Sequence, residues 1–381
     1  MSKKRIGIYG GSFNPIHNGH LSVAKKVIDL DIVDEVWFTV SLLNPFKVEQ
    51  ENQYASYAKR FEMVKIATEG MERVNISRIE EGLGSPSRTI NTLNALEALS
   101  DGAYEFHVIF GSDAWNQIDK FYDYELIVRN YPITIVTRPG CKIDLKSPGM
   151  RMSEDKEIGK DMHLNFIDIV DEYDISSTSI RNDVAKGKNI YDRVPENVAK
   201  YILKNRLYRE KPEDMAKLAL SLLEENNMTV STAESCTGGW VAEALTSVEG
   251  ASKFVSGGIV AYNNQIKENL LGVSHETLQM HTAVSKETAL EMAVCACEKL
   301  HTDCAVSTTG YASGHPESGN IFVCAHRADI ARCLMDNLNT RLDDRQLNRE
   351  IAVIRGLSLL QELLRQGRPL LQQGRPGSKK K

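Results

Sequence analysis

Gly10-Gly11-Ser12-Phe13-Asn14-Pro15-Ile16-His17-Asn18-Gly19-His20-Leu21 follows on Arg5-Ile6-Gly7-Ile8-Tyr9 and runs into Leu21-Ser22-Val23-Ala24-Lys25-Lys26-Val27-Ile28. The first flank reads as a short buried strand, and in the second the apolar residues recur at helical spacing. The stretch between them is therefore a strand-to-helix turn. Two glycines let the backbone approach a ligand closely, and a new helix offers unpaired amide N–H groups at a positive dipole end, so the turn suits an anion. His17 and His20, three apart at the helix start, are spaced to project toward that same anion. A phosphate chain is the natural guest.

Working outward, the sequence predicts strands over 34–41, 74–77, 105–110 and 133–136, with helices over 57–69 and 89–99 between them. A further strand is predicted over 163–170. Strands alternating with helices imply a mostly parallel sheet covered on both faces, with ligands at the carboxyl ends of its strands. Polar punctuation falls at those ends: Asn44-Pro45-Phe46-Lys47, Gly111-Ser112-Asp113 and Thr137-Arg138-Pro139-Gly140. Farther on, Ile175-Ser176-Ser177-Thr178-Ser179-Ile180-Arg181 opens another helix, and hydroxyls with an arginine one turn in make either a plain helix cap or a second anion site. Paired with the first turn it completes a two-sided phosphate clamp.

These blocks resemble a known family. Residues 10–21 match the G-G-[ST]-F-x-P-x-H-x-G-H signature of the nucleotidyltransferase superfamily, and residues 175–181 match its I-S-S-T-x-I-R signature. Ser87-Arg88-Thr89-Ile90-Asn91-Thr92-Leu93 resembles the S-x-T-x-x-T-L of the nicotinate-nucleotide adenylyltransferases, residues 44–47 their P-P-H-K, residues 111–113 their G-x-D and residues 138–140 their R-P-G. The resemblance covers residues 1–208 and implies a Rossmann-like, doubly wound parallel sheet. It also implies transfer of AMP from ATP, with Mg²⁺, to nicotinate mononucleotide. His17, His20, Lys47 and Arg181 would then stabilise the reacting phosphates. Gly10, Gly11, Ser12, Phe13, Thr89, Gly111, Asp113, Arg138, Ser177 and Thr178 would bind nucleotide, and Phe121 would stack on the pyridine ring. Asn14 stands where the family commonly has Asp and Phe121 where it has Trp, which leaves open the choice between the acid and amide forms of the base.

A charged, proline-containing segment, Tyr208-Arg209-Glu210-Lys211-Pro212, suggests a linker to a second domain over 212–366. There a helix over 215–225 and a strand over 228–231 lead into Thr232-Ala233-Glu234-Ser235-Cys236-Thr237-Gly238-Gly239 and a helix from Trp240. Ser235 is either a helix cap or a nucleophile beside backbone donors, with adjacent Cys236 as its rival. Together with Val260-Ala261-Tyr262-Asn263-Asn264-Gln265-Ile266-Lys267 this resembles the C-terminal domain of the CinA family, the nicotinamide-nucleotide amidases. Carried over, Ser235 would attack the carboxamide of nicotinamide mononucleotide, Lys267 would be the base and Tyr262 would orient the group or relay the proton. Thr237, Gly238 and Thr309 contact substrate. Residues 308–319 are altered and shortened against that family's T-T-G-I-A-G-P-G-G, so the alternative is a silent binding or dimerisation module.

Composition bounds the rest. The 381 residues are 42% hydrophobic and 25% charged, with a formal net charge of −5, so nothing marks a nucleic-acid-binding surface. No apolar run nears the roughly 18 residues of a membrane span, and the expectation is a cytoplasmic protein without membrane contact. The seven cysteines are odd in number and lack a C-x-x-C pair, which points to reduced thiols and no metal site. Residues 367–381, rich in Arg, Gln, Gly and Lys, read as a disordered tail. Homo-oligomerisation through the second domain is implied by resemblance alone.

Overall fold

A computed structural model describes residues 3–43, 54–137, 142–153, 163–168 and 175–366. The chain forms two compact units, one of residues 1–182 and 190–208 and the other of residues 183–189 and 209–381.

The first unit is built on six strands: β1 (Lys4–Gly11), β2 (Glu35–Val40), β3 (Val74–Ser77), β4 (Tyr104–Gly111), β5 (Ile133–Thr137) and β6 (Leu164–Asp168). Their order is β3-β2-β1-β4-β5-β6, and every neighbouring pair is parallel. Helices α1 (Asn18–Asp29), α2 (Tyr57–Thr68), α3 (Thr89–Ser100), α4 (Ser112–Trp115), α5 (Tyr124–Asn130), α6 (Pro148–Ser153), α7 (Ser177–Ala185) and α8 (Glu196–Lys204) connect or follow them. Because both faces are covered, the central strands are apolar on both sides: Ile6 and Ile8 of β1 and Phe106, Val108 and Phe110 of β4 are buried in one core with Trp115. Strand order reverses between β1 and β4, which is where such sheets leave a ligand crevice.

The second unit carries β7 (Val230–Glu234), β8 (Val255–Val260), β9 (Cys304–Gly310), β10 (Ile321–Arg327) and β11 (Arg332–Asn337). Their order is β11-β10-β9-β7-β8, parallel from β8 through β9 and antiparallel beyond. Its helices are α9 (Pro212–Asn226), α10 (Trp240–Thr246), α11 (Asn264–Ile266), α12 (His275–His281), α13 (Lys286–Leu300) and α14 (Arg345–Leu364). A π-helical turn spans Lys267–Leu271. Helix α9 starts at Pro212, where a missing N–H costs nothing, and ends at Asn227 in the left-handed region with φ 51°. Gly310 ends β9 where an added Cβ would stand 2.5 Å from the Ile321 Cα, so only glycine lets β10 turn back here.

Two elements differ from the sequence expectation. The β10–β11 hairpin extends the second sheet antiparallel, although 332–337 carries Arg, Asp and Asn and gives a weak strand pattern. Helix α6 lies in a stretch for which the sequence predicts no element. Among the described residues no helix is long and apolar enough to cross a membrane.

Candidate active sites

In the first unit the turn after β1 is fixed from several directions. Arg60 is buried, and its guanidinium donates to the carbonyls of Ser12, Leu42 and Ala55 at 2.7, 2.9 and 3.0 Å. Asn14 is also buried. Its Oδ1 accepts from the Tyr208 hydroxyl at 2.7 Å and from the Ala55 N–H at 3.1 Å. Phe13, with φ 46°, lies against Tyr9, Phe38 and His20, with ring centroids 5.7, 5.2 and 5.1 Å apart. Its side chain is 3% exposed and packs against His20.

His17 caps α1, and its backbone N–H donates to Nδ1 of His20 at 3.2 Å. The two imidazoles stack with centroids 3.7 Å apart at 28°. The hydroxyl-rich start of α7 is brought to the same turn: Ser177 Oγ donates to the Pro15 carbonyl at 2.9 Å, and Arg181 donates to the Asn14 carbonyl at 2.8 Å and to Thr178 Oγ1 at 3.2 Å. His17, His20, Ser177, Thr178 and Arg181 therefore gather about one point, with Ser12 joining through its backbone.

Beside that turn, at the β1–β4 split, lies a pocket of about 450 Å³. Gly10, Gly11, Thr89, Gly111, Asp113 and Phe121, all expected to bind nucleotide, are in its wall. Phe121 meets Phe110 edge-on at 5.5 Å, which leaves a flat apolar slot. Lys47 and Arg138 lie outside the described residues. Arg60 and Tyr208 escaped the sequence reading because each acts on the turn through the backbone or one amide, with no motif of its own.

In the second unit Ser235 follows β7 directly and is 8% exposed. Lys267 Nζ donates to Ser235 Oγ at 3.0 Å and to the Ala261 carbonyl at 2.9 Å. The lysine is 1% exposed, and burial lowers its pKa to about 8. Burial has the opposite effect on the neighbouring Cys236 thiol, pushing it up to about 12 and keeping it protonated. Geometry and ionisation thus favour Ser235 over its rival.

Around this pair stands a group the sequence reading did not single out. Glu234 is 1% exposed and accepts five hydrogen bonds: from Thr232 Oγ1, Thr237 Oγ1 and the N–H groups of Gly239, Val241 and Ala242, all between 2.7 and 3.1 Å. It ties the strand end, the turn and the start of α10 to one carboxylate. Gly238 and Gly239 take φ 63° and 95° to make that turn.

Three residues expected to contact or serve the substrate are engaged within the protein. Thr237 is fully buried, its hydroxyl engaged with Glu234 and with Thr308 Oγ1 at 2.6 Å. Thr309 is equally buried and donates to the Ala283 carbonyl at 2.6 Å. Tyr262 is 60% exposed, and its hydroxyl accepts from Arg345 at 2.8 Å. One turn along α14, Arg349 donates to the Thr237 carbonyl at 2.6 Å. Two arginines of one helix therefore bond to the turn and to Tyr262, respectively.

Among the described residues no group of three or more His, Cys, Asp or Glu side chains could hold a metal ion.

Comparison with known proteins agrees with this division. The cytidylyltransferase-like family matches residues 8–183 and the CinA C-terminal domain matches residues 212–364. A probable nicotinate-nucleotide adenylyltransferase of Bacteroides fragilis is 38% identical over 190 residues, covering 50% of this chain and 87% of that protein. One from Flavobacterium johnsoniae is 32% identical over 206 residues, covering 54% of this chain and all of that protein. Among solved structures, the competence/damage-inducible protein CihA of Agrobacterium tumefaciens is 34% identical, covering 41% of this chain and 97% of its own, with a TM-score of 0.39. By its first half the chain belongs to the nicotinate-nucleotide adenylyltransferase family, and its second half is a CinA C-terminal domain.

Proposed function

We propose that the first unit transfers AMP from ATP to nicotinate mononucleotide, and that the second converts nicotinamide mononucleotide to nicotinate mononucleotide and ammonia. The first product would be nicotinate adenine dinucleotide. The second unit would then supply the substrate of the first.

For the transfer, the 5′-phosphate oxygen of the mononucleotide attacks the α-phosphorus of ATP, the α–β bridging bond breaks, and pyrophosphate leaves. This chemistry needs alignment and charge neutralisation more than a protein nucleophile. The observation that supports it is the convergence of the His17–His20 stack with Ser177, Thr178 and Arg181 on the turn beside the β1–β4 pocket. ATP enters as its Mg²⁺ complex, in which phosphate oxygens and water supply most of the metal's ligands.

For the hydrolysis, the supporting observation is the 3.0 Å contact of Ser235 with a buried lysine whose pKa lies near 8. The neutral amine takes the Ser235 proton as Oγ bonds to the carboxamide carbon. It returns that proton to the departing nitrogen, so ammonia leaves and an acyl-serine ester remains for water to cleave. Arg345 and Arg349 are the cations bonded to this turn and to Tyr262, and a substrate phosphate would meet them. The rival reading, a second unit that only binds nucleotide, draws on the outward position of Tyr262.

The test is product analysis with ATP, Mg²⁺ and nicotinamide mononucleotide, comparing the intact chain with Ser235→Ala. Ammonia and nicotinate adenine dinucleotide from the intact chain, with neither from the variant, are expected. NAD from both without ammonia rejects the amidase.

A further inference from the structure

The pocket at the β1–β4 split holds one cation whose position suits a negatively charged base. Arg88 lines it together with Thr89, Phe121 and Tyr122. Its guanidinium carbon lies over the Tyr122 ring, 3.9 Å from the centroid. A guanidinium held on an aromatic ring keeps its fork of N–H donors for a planar partner such as a carboxylate, which it can grip two-handed. Among the described residues that guanidinium donates no hydrogen bond and joins no ion pair.

The backbone of Arg88 is held firmly. As the residue that caps α3 it has an extended conformation, φ −129° and ψ 122°, and its carbonyl accepts from the N–H groups of Asn91 and Thr92 at 3.0 and 3.2 Å. Thr92 Oγ1 also donates to it at 3.2 Å. The arginine thus projects from a fixed point at the N-terminus of a 12-residue helix, whose dipole adds to its charge.

Its neighbours make that charge consequential. Glu80 and Asp113 also line the pocket. Glu80 is 4% exposed; one carboxylate oxygen accepts from Thr92 Oγ1, and the other is buried without a hydrogen-bond partner among the described residues. Lys120, the other cation of the wall, donates to Gln117 Oε1 at 2.7 Å. Arg88 therefore offsets two carboxylates in the same wall, and its removal would make the pocket less favourable to an anion.

We infer that Arg88 determines base specificity, pairing with the carboxylate of a nicotinate ring in the Phe121 slot and so selecting the acid over the carboxamide. The inference rests on the adenylyltransferase reading of the first unit. Arg88 occupies the unspecified x of the S-x-T element.

The experiment measures pyrophosphate release by the full chain, with nicotinate and nicotinamide mononucleotides in turn, for wild type at Arg88, Arg88→Ala and Arg88→Lys, all carrying Ser235→Ala so that the second unit leaves the amide unconverted. The expected result is an acid-to-amide ratio of kcat/KM that falls on the order of 10- to 100-fold in Arg88→Ala, carried by KM for the acid. Arg88→Lys, which keeps the charge and loses the fork, should fall between. A ratio within about threefold of wild type in both variants, or equal losses for both bases, overturns the inference and leaves the adenylyltransferase reading standing. Pyrophosphate from neither base in the wild type overturns that reading and the inference with it. Should Arg88→Ala fail to fold, Arg88→Gln reads the same ratio.

Discussion

The turns after β1 and β7 share a plan of buried strand, polar glycine turn and helix, yet they are stabilised in opposite ways. The first is tied down by distant side chains acting on its backbone, Arg60 on Ser12, Arg181 on Asn14 and Ser177 on Pro15, with its histidines beside an open pocket. The second is closed around its own carboxylate, Glu234, and its reactive pair is buried. The difference follows from the chemistry each would perform. Phosphoryl transfer needs several charges converging on a large, dianionic substrate, so its groups come from many elements and leave space. Activating a serine needs one amine deprived of water, so burial itself is the device.

The sharpest way to break this comparison is His20→Ala. Removing one positioned donor should lower nucleotidyl transfer about 10²- to 10³-fold, measured as pyrophosphate release, while ammonia release from the second unit stays as it was. An equal fall in both rates would mean that the two turns do not act separately. Next comes Glu234→Gln. An amide in place of the carboxylate turns an NH₂ group toward donors, and the second unit should lose about 2–3 kcal/mol, read as an earlier unfolding transition in denaturant. A loss under about 0.5 kcal/mol would show that the turn holds its shape without the carboxylate.

The mildest effect is on pH. Lys267 acts as a base only when neutral, and burial brings its pKa from 10.5 down to about 8. Ammonia release should therefore climb about tenfold per pH unit below 8 and level off above it, as a pH series of kcat/KM would record. A profile flat between pH 6 and about 9 would remove the lysine from the mechanism.

Much of both sites was legible because their residues lie at strand ends, where sequence position and spatial position coincide. His17, His20, Asp113 and Phe121 fall at or just beyond the carboxyl ends of β1 and β4, and Ser235 directly follows β7. Lys267 is named by a separate motif, residues 260–267, and it stands 32 positions from Ser235. The rest required the fold. Tyr208 reaches Asn14 across 194 positions and Arg60 reaches Ser12 across 48, and no local pattern announces either. Tyr262 shows the converse: its motif placed it beside Lys267, but an arginine 83 positions away holds its hydroxyl. Strand β11 was missed for a third reason. It lies at a sheet edge, where half-exposed polar residues blur the alternation that marks a strand.

The bond from Tyr208 to Asn14 bears on how the halves can be taken apart. Tyr208 is the last residue of the first unit, and its hydroxyl, whose pKa burial raises, reaches back to the turn that carries the histidines. Anyone expressing the nucleotidyltransferase half by itself should cut after this tyrosine. Ending the chain even one residue earlier would leave a buried amide oxygen with one donor fewer, at the turn on which the transfer depends.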